Sequence, residues 1–257
     1  MDYNFHTHTV RCHHAIDDDE SYIKCAIEAG IKHLGFSDHA PVVFSGGHGF
    51  HYHMDIEDGE EYVNTIRALA EKYKDQIKIS VGFEMECYPS CFDKMLELAR
   101  KFGAEYLILG QHFIGDEWPT GTVSRVLTDN PEHLTEYVDN VIRGIKSGVF
   151  TYVAHPDIIN FGGDEEFYRQ EMTRLCMAAK EYNTPLEINL HGIQHNRFYP
   201  SDRFFAIAGE LDVPVTFGMD VHDSASLLDK DQVQRAKEMV ARNNLNYIGM
   251  PRLKPIK

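Results

Sequence analysis

Two histidines one residue apart, His6 and His8, open the chain, and an aspartate and a histidine with the same spacing, Asp220 and His222, lie near its end. In extended backbone, residues i and i+2 point the same way, so each pair can offer two donors to one ion. Between them come His14, Asp38, His39, Glu84, Glu86, Gln111, His112, His155, Asn189 and His191. Imidazole and carboxylate donors together suit zinc, manganese or iron. Ions held in that way activate water for hydrolysis. A histidine pair alone is a weak signal, and many of the 15 histidines are expected to be bystanders. His33 and His133 read as helix-end or surface residues.

The positions of these residues relative to the predicted elements strengthen the reading. Short apolar runs at 3–5, 33–36, 77–83, 106–109, 151–154, 186–190 and 213–217, with a further one at 246–249, read as strands. They alternate with helical stretches. Tyr62, Val63, Ile66, Leu69, Ala70 and Tyr73 fall on one helical face, as do Leu134, Tyr137, Val138, Val141, Ile142 and Ile145, and Tyr168, Met172, Leu175, Ala179 and Tyr182. These faces follow the 3.6-residue period and are expected to pack the core. Seven or eight βα units predict a closed parallel barrel, with an open doubly wound sheet as the alternative. No GxGxxG or GxxxxGK[ST] follows a strand, which argues against the nucleotide-binding form of that alternative. In a parallel barrel all strand ends of one kind lie on one face. Every predicted strand end here carries a metal-ligand residue type, which scattered histidines would not produce.

The 257 residues suit one domain spanning 1–257. Forty acidic against 25 basic residues give a net charge of −15, which repels nucleic-acid backbones. No apolar run is long enough for a membrane span, and no secretory leader opens the chain. Five cysteines, Cys12, Cys25, Cys87, Cys91 and Cys176, form no CxxC pair and read as free thiols in a reducing cytosol. Cys87 and Cys91 are expected to be buried near a helix start rather than ligands.

Taken as a set, these motifs resemble the polymerase and histidinol phosphatase (PHP) superfamily. The resemblance rests on Phe5-His6-Thr7-His8-Thr9 with Cys12 and His14, Phe36-Ser37-Asp38-His39-Ala40-Pro41, Gly82-Phe83-Glu84, Gln111-His112-Phe113, His155-Pro156-Asp157 and Asp220-Val221-His222. It runs from residue 2 to about residue 225. Glu187-Ile188-Asn189, Gly192, Arg197 and Tyr199-Pro200-Ser201 make the histidinol-phosphate phosphatases the most similar branch. The resemblance implies an α/β fold, a distorted (β/α)7 TIM-like barrel, with three divalent ions: zinc, manganese, iron or a mixture. His6, His8, Glu84 and Asp220 would hold one. Glu84 would bridge to a second, also held by His112 and His155. His14, His39 and His222 would hold the third.

The implied reaction is hydrolysis of a small phosphorylated metabolite, L-histidinol phosphate in histidine biosynthesis, with no nucleic-acid or membrane partner. Hydroxide held between the ions would attack phosphorus, with Asp220 and His222 as the catalytic residues. Arg197 is the candidate phosphate clamp, since a guanidinium matches phosphate oxygens with a planar fork. Asn189 and His191 would line the pocket or serve local turn hydrogen bonding. Residues 45–53, Ser-Gly-Gly-His-Gly-Phe-His-Tyr-His, form either a lid over the substrate, using His48, Phe50, His51 and His53, or a surface loop. One departure stands out. Basic residues commonly follow the fifth-strand histidine in these phosphatases, yet Asp157-Ile158-Ile159-Asn160-Phe161 contains none. Another small phosphate ester, such as a nucleotide or sugar phosphate, is therefore an alternative substrate. A non-catalytic metal-binding barrel and a metal-dependent amidohydrolase are the remaining rivals.

Overall fold

The computed structural model describes residues 1–42, 44, 52–119 and 121–256. The chain runs β1 (Tyr3–Asn4), α1 (Asp19–Ala29), β2 (His33–His39), α2 (Gly59–Tyr73), β3 (Lys78–Met85), α3 (Phe92–Phe102) and β4 (Tyr106–Leu109). A hairpin of β5 (Phe113–Ile114) and β6 (Thr122–Val123) follows, then α4 (Pro131–Ser147), β7 (Phe150–Val153) and α5 (Glu165–Glu181). The last part comprises β8 (Leu186–Asn189), α6 (Leu190–Gln194), α7 (Asp202–Glu210), β9 (Pro214–Gly218), α8 (Lys230–Arg242) and β10 (Asn246–Tyr247). Local chemistry sets the helix ends. Asp18, Asn130, Asp164 and Ser201 each cap a helix start by accepting a backbone N–H. Gly30, Gly103 and Gly148 end α1, α3 and α4 in the left-handed conformation that glycine adopts without strain.

Eight parallel strands form one curled sheet in the order β1-β2-β3-β4-β7-β8-β9-β10. Among the described residues its ends are bridged at one level. A parallel bridge joins Thr7 to Val221, with His8 N donating to the Val221 carbonyl (3.0 Å) and Val221 N donating to that of His6 (3.2 Å). Below this bridge β10 pairs with Pro214 and Val215 of β9, and side chains complete the seam. The Tyr3 hydroxyl lies 2.8 Å from Thr216 Oγ1 and 3.2 Å from the Tyr247 hydroxyl. This is the distorted TIM-like barrel that the family resemblance implied, with one short strand added at the edge.

Two apolar cores support it. The larger lies between sheet and helices and takes the predicted faces of α2, α4 and α5. Leu134, Tyr137, Val138 and Val141 of α4 are wholly buried, and each such side chain contributes about 1.5–3 kcal/mol. Tyr182 departs from its predicted face: it stands just past the last turn of α5 and is exposed. The smaller core fills the barrel with Tyr3, Phe5, Tyr106, Ile108, Tyr152 and Ala154, against which Met1 and Leu253 pack. The C-terminal segment is tied there by Lys254 N donating to Thr151 Oγ1 (3.2 Å).

His33 is not the surface residue expected. It starts β2, is 7% exposed, meets Phe5 edge-on at 4.6 Å and places Nε2 3.1 Å from Ser80 Oγ. The error has a physical origin: the strand begins one layer below the apolar run, so its first residue points into the barrel. His133 sits at the start of α4 as expected, with Nδ1 2.9 Å from Thr128 Oγ1.

Burial, and then the charge of Lys78, push the His33 pKa down to about 4. The unfolded chain, with His33 near 6.5, therefore binds more protons between these values. The stability contributed by neutral His33 is fully present above about pH 6.5 and lost as pH falls towards 4. Urea midpoints measured from pH 7 to pH 4.5 should fall less steeply in His33→Gln than in the wild type. Parallel curves would remove His33 from this account.

Candidate metal centre

The strands end in a polar cup. On β3, Ile79, Val81, Phe83 and Met85 face the helices, so Ser80, Gly82 and Glu84 face inwards. The same alternation turns Tyr106 and Ile108 of β4, Glu187 and Asn189 of β8, and Thr216 and Gly218 of β9 towards the axis. Apolar and tyrosyl side chains occupy the lower layers. The upper layer holds Glu84 and Glu187, with His6, His8, His39, His112, His155, Asp220 and His222 arriving on strand ends or the turns after them.

Space for the carboxylates comes from glycine. A Cβ at Gly110 would stand 2.0 Å from Glu84 Oε1, and one at Gly218 would stand 1.7 Å from Glu187 Oε1. Two donors are aimed by left-handed backbone, His155 (φ 30°) and Asp220 (φ 52°). That conformation costs a non-glycine residue about 1–2 kcal/mol and is held where the surroundings demand it.

Glu84, 1% exposed, is the centre of the cup. Its Oε1 lies 2.7 Å from His155 Nε2 and 3.6 Å from His112 Nε2. Its Oε2 lies 3.5 Å from Nε2 of both His6 and His8 and 3.2 Å from His39 Nδ1. Asp220 Oδ1 is 3.5 Å from His6 Nε2 and 3.2 Å from His8 Nε2. On the outer side, His14 Nε2 and His222 Nε2 stand 2.9 Å apart, and His39 joins them. Burial opposes ionisation of Glu84 and Asp220, but the surrounding imidazoles hold both well below the usual carboxylate range.

The structure brings all nine residues expected as ligands into this cup. Each belongs to at least one set of three donor atoms lying within 4.8 Å of one another: His6-His8-Glu84, His6-His155-Asp220, His39-Glu84-His112 and His14-His39-His222. His6 Nε2, both nitrogens of His8, His39 Nδ1, His155 Nδ1 and Glu84 Oε2 are buried without a hydrogen-bond partner among the described residues. Unpaired polar atoms in a dry interior each cost about 1–3 kcal/mol. Converging lone pairs at one point are what a divalent cation satisfies, so these residues fit metal binding.

A further ring of side chains stands behind the cup: Asp38 and Glu86 were read at strand ends and Glu187 among the motifs, but the sequence assigned none of them a role. Glu187 accepts from His6 Nδ1 (2.8 Å), from His155 N (2.9 Å) and from Asn189 Nδ2 (2.9 Å). Glu86 Oε1 lies 2.8 Å from His112 Nδ1. Burial, then the nearby charges of Glu117 and Glu84, push the Glu86 pKa up to about 8 against the opposing pull of His53. Asp38 accepts from Thr9 N (3.2 Å) and His39 N (2.8 Å) and stands 3.4 Å from His8 Nδ1. One signal was present: Glu187 is an acidic residue between Leu186 and Ile188, inside a strand buried on both faces.

Asn189 does both things expected of it. Its Oδ1 accepts from Gly192 N to cap α6 (2.9 Å), and its Nδ2 donates to Asp220 Oδ2 (3.1 Å). His191 lies on the rim, its ring 5.4 Å from that of His222, and burial pushes its pKa down to about 4. Arg197 is exposed and donates through Nη1 to the Tyr199 hydroxyl (2.7 Å), and the Tyr199 ring is 6.1 Å from that of His155. Of residues 45–53, 45–51 lie outside the described residues, including His48, Phe50 and His51. His53 is no lid residue: it is 5% exposed, with Nε2 2.7 Å from Glu117 Oε2 and Nδ1 3.0 Å from the Ala40 carbonyl. Tyr52 packs its ring 5.2 Å from that of His39. Cys87 and Cys91 are buried, and all five cysteines are free. Among the described residues no helix is long and apolar enough to cross a membrane.

Comparisons with known proteins agree with the motifs. A probable histidinol-phosphatase of Deinococcus radiodurans is 25% identical over 232 residues, covering 84% of this chain and 85% of that protein. The histidinol-phosphatase of Bacillus subtilis is 23% identical, covering 86% and 94%. The crystal structure of histidinol phosphate phosphatase from Lactococcus lactis, complexed with zinc, L-histidinol and phosphate, has the same fold. It matches with a TM-score of 0.76 at 18% identity, covering 100% of this chain and 98% of that one. The family model described as the PHP domain matches residues 4–191, and this chain belongs to that family.

Proposed function

We propose that this protein is a metal-dependent phosphatase that hydrolyses L-histidinol phosphate to L-histidinol and phosphate. The observation that carries the reading is the convergence of five imidazoles on the two oxygens of Glu84, those of His6, His8 and His39 meeting Oε2 through nitrogens buried without a hydrogen-bond partner among the described residues. The substrate follows from the relatives of nearly the chain's length that are named histidinol-phosphatases. In this reading three ions are held: one by His6, His8, Glu84 and Asp220, a second by Glu84, His112 and His155, and a third by His14, His39 and His222. Zinc is the ion of the Lactococcus structure, and the same donors suit manganese and iron. When bound, such ions lower the pKa of coordinated water and oppose the charge on the phosphoryl oxygens.

The chain's own residues then divide the work. Asn189 holds one oxygen of Asp220 and leaves the other towards His6 and His8. The Asp220 carboxylate takes the proton of the attacking water, and it or the adjacent His222 returns a proton to the histidinol oxygen as the P–O bond breaks. Tyr52 covers one wall of the cup beside His39. Arg197 supplies a cation at the rim. The second cation, missing after His155, comes from the hairpin. Ser124 N donates to the His112 carbonyl (2.8 Å), and Asn160 N donates to the Ser124 carbonyl (2.9 Å). Asn160 Nδ2 also donates to the Arg125 carbonyl (3.4 Å). Arg125 therefore stands beside the segment that lacks a basic residue. It is exposed, and its guanidinium makes no ion pair or hydrogen bond among the described residues.

Two outcomes follow. Enzyme loaded with manganese or zinc should release phosphate from L-histidinol phosphate with a kcat/KM well above that for nucleotide and sugar phosphates. Glu84→Ala should lose several orders of magnitude of that rate while its circular dichroism stays native. Better turnover of another ester would remove the substrate, and a fully active Glu84→Ala would remove the centre.

Glu187→Gln tests the outer ring. Loss of a carboxylate behind a histidine ligand lowers metal affinity about 10–100-fold, so the variant should release metal to a chelator correspondingly sooner. Unchanged retention would make Glu187 a packing residue only.

Arg197→Ala and Arg125→Ala should each lower kcat/KM about 10–100-fold, since a charged hydrogen bond is worth about 1.5–3 kcal/mol. Metal content should not change in either. An effect from Arg197 alone would return Arg125 to the solvent.

A further inference from the structure

Outside the cup, three side chains from two segments converge on one buried carboxylate. Glu117 lies between β5 and β6 and is 1% exposed. Its Oε2 accepts from the Tyr88 hydroxyl (2.9 Å) and the Tyr52 hydroxyl (3.4 Å), and lies 2.7 Å from His53 Nε2. The turn that carries it is wound tightly. Gly121 N donates to the Glu117 carbonyl (2.9 Å), and a Cβ at Gly121 would stand 2.4 Å from that oxygen. His53 Nδ1 reaches the Ala40 carbonyl (3.0 Å), next to His39. The hydrolysis proposed above gives Glu117 no step.

What Glu117 holds faces the cup. The Tyr52 ring is 5.2 Å from that of His39, 6.2 Å from His112 and 6.4 Å from His14, with the planes steeply inclined. Phe113 lies nearly parallel to it at 6.2 Å. His14 is exposed and the His112 side chain is 20% exposed, so these two stand on the open side of the cup. Tyr52 is half-buried beside them. With its hydroxyl turned to Glu117, it offers ring carbon to that opening. A phosphate ester whose phosphoryl group sits on the ions must project its alcohol half the same way. Aromatic rings pack on one another offset or edge-on, and a ring already held in place loses little freedom in doing so.

We propose that Tyr52 is a specificity-determining wall for the alcohol half of the ester, selecting a planar ring such as the imidazole of histidinol, and that Glu117 is the positioning residue that fixes it there. The inference rests on the phosphatase reading above. Neither residue acts on phosphorus; together they bias which ester binds.

The test compares L-histidinol phosphate with O-phosphoethanolamine, which keeps an amine beside the ester but has no ring. Manganese-loaded wild type should prefer the first. Tyr52→Leu should shrink the ratio of the two kcat/KM values about tenfold, the size expected for one aromatic contact, with the loss in KM rather than kcat. L-Histidinol itself should bind this variant about tenfold more weakly by calorimetry, and metal content should match the wild type. Glu117→Gln should shrink the ratio in the same direction but less, since an amide oxygen still accepts. Added to Tyr52→Leu it should change the ratio no further, because both act through one ring. Equal losses on both esters, or loss of metal, would make the cluster purely structural and overturn the proposal, as would full additivity of the two variants. A wild type with no preference between the esters would overturn the wall and leave the metal phosphatase standing. One that hydrolyses neither would overturn both readings. Should Glu117→Gln fail to fold, Tyr52→Phe stands in for it. That variant removes the hydroxyl alone and should also shrink the ratio, and an undiminished ratio would overturn the tie to Glu117.

Discussion

The carboxylate of Glu84 lies within 3.6 Å of nitrogens from five histidines, in a place almost closed to water. A charge in such surroundings is stable only when paired and fully bonded. The rest of the cup answers that requirement. The five histidines come from the ends of β1, β2, β4 and β7, and only a parallel barrel brings those ends together. Gly110 beside Glu84 cannot carry a side chain, because its Cβ would overlap the carboxylate. His155 and Asp220 take left-handed backbone to reach inwards. The strain is local, and the buried tyrosines and aliphatic residues below carry the fold.

That division explains the layering along the barrel axis. Tyr3, Phe5, Tyr106, Ile108, Tyr152 and Ala154 form a dry plug, and Leu253 packs against it from a segment anchored at Thr151. The plug excludes water from beneath the cup, and low local dielectric strengthens every interaction above it. Glu187, Glu86 and Asp38 then fix the histidine rings from behind. Each contacts the Nδ1 of a different histidine, His6, His112 and His8, and so leaves each Nε2 facing Glu84. The three rings are thus oriented from behind by protein carboxylates.

The strand ends were legible because their signal is chemical and periodic at once: an apolar run followed at once by an imidazole or a carboxylate. The HxH and DxH pairs added spacing. The role of the outer ring was harder to read, because Asp38 and Glu86 stand among the donors at the strand ends and Glu187 lies inside a strand that otherwise reads as apolar core. Glu187 between Leu186 and Ile188 was visible, but no spacing rule ties it to His6, 181 residues away. His33 was misplaced because one residue of strand register separates the barrel interior from the surface. His53 was grouped with a glycine-rich stretch by composition, whereas its environment is set by Glu117, 64 residues further on. Arg125 carries no motif, and only the hydrogen bonds that tie its segment to Asn160 bring it near the chain after His155. The sheet's closure by a single bridge and by the Tyr3, Thr216 and Tyr247 hydroxyls depends on side chains, which the hydrophobic period does not record.

The acidic balance of the chain bears on substrate choice. A net charge of −15 surrounds the cup with a field that opposes anions beyond contact range. At physiological ionic strength that field fades over about 8 Å, so it acts on an approaching phosphate ester more than on one already bound. Attraction must then be local, and in the proposed function it comes from ions in the cup and from Arg197 and Arg125. A phosphate ester that carries its own ammonium crosses such a field at lower cost than a nucleotide or sugar phosphate of the same phosphate charge. Histidinol phosphate has that amine next to its ester. The surface and the cup thus select at different distances: the surface against net negative charge, the cup for the phosphate itself. An acidic phosphatase is therefore physically consistent when its substrate is zwitterionic, and the charge balance that argues against nucleic acid also argues against nucleotides.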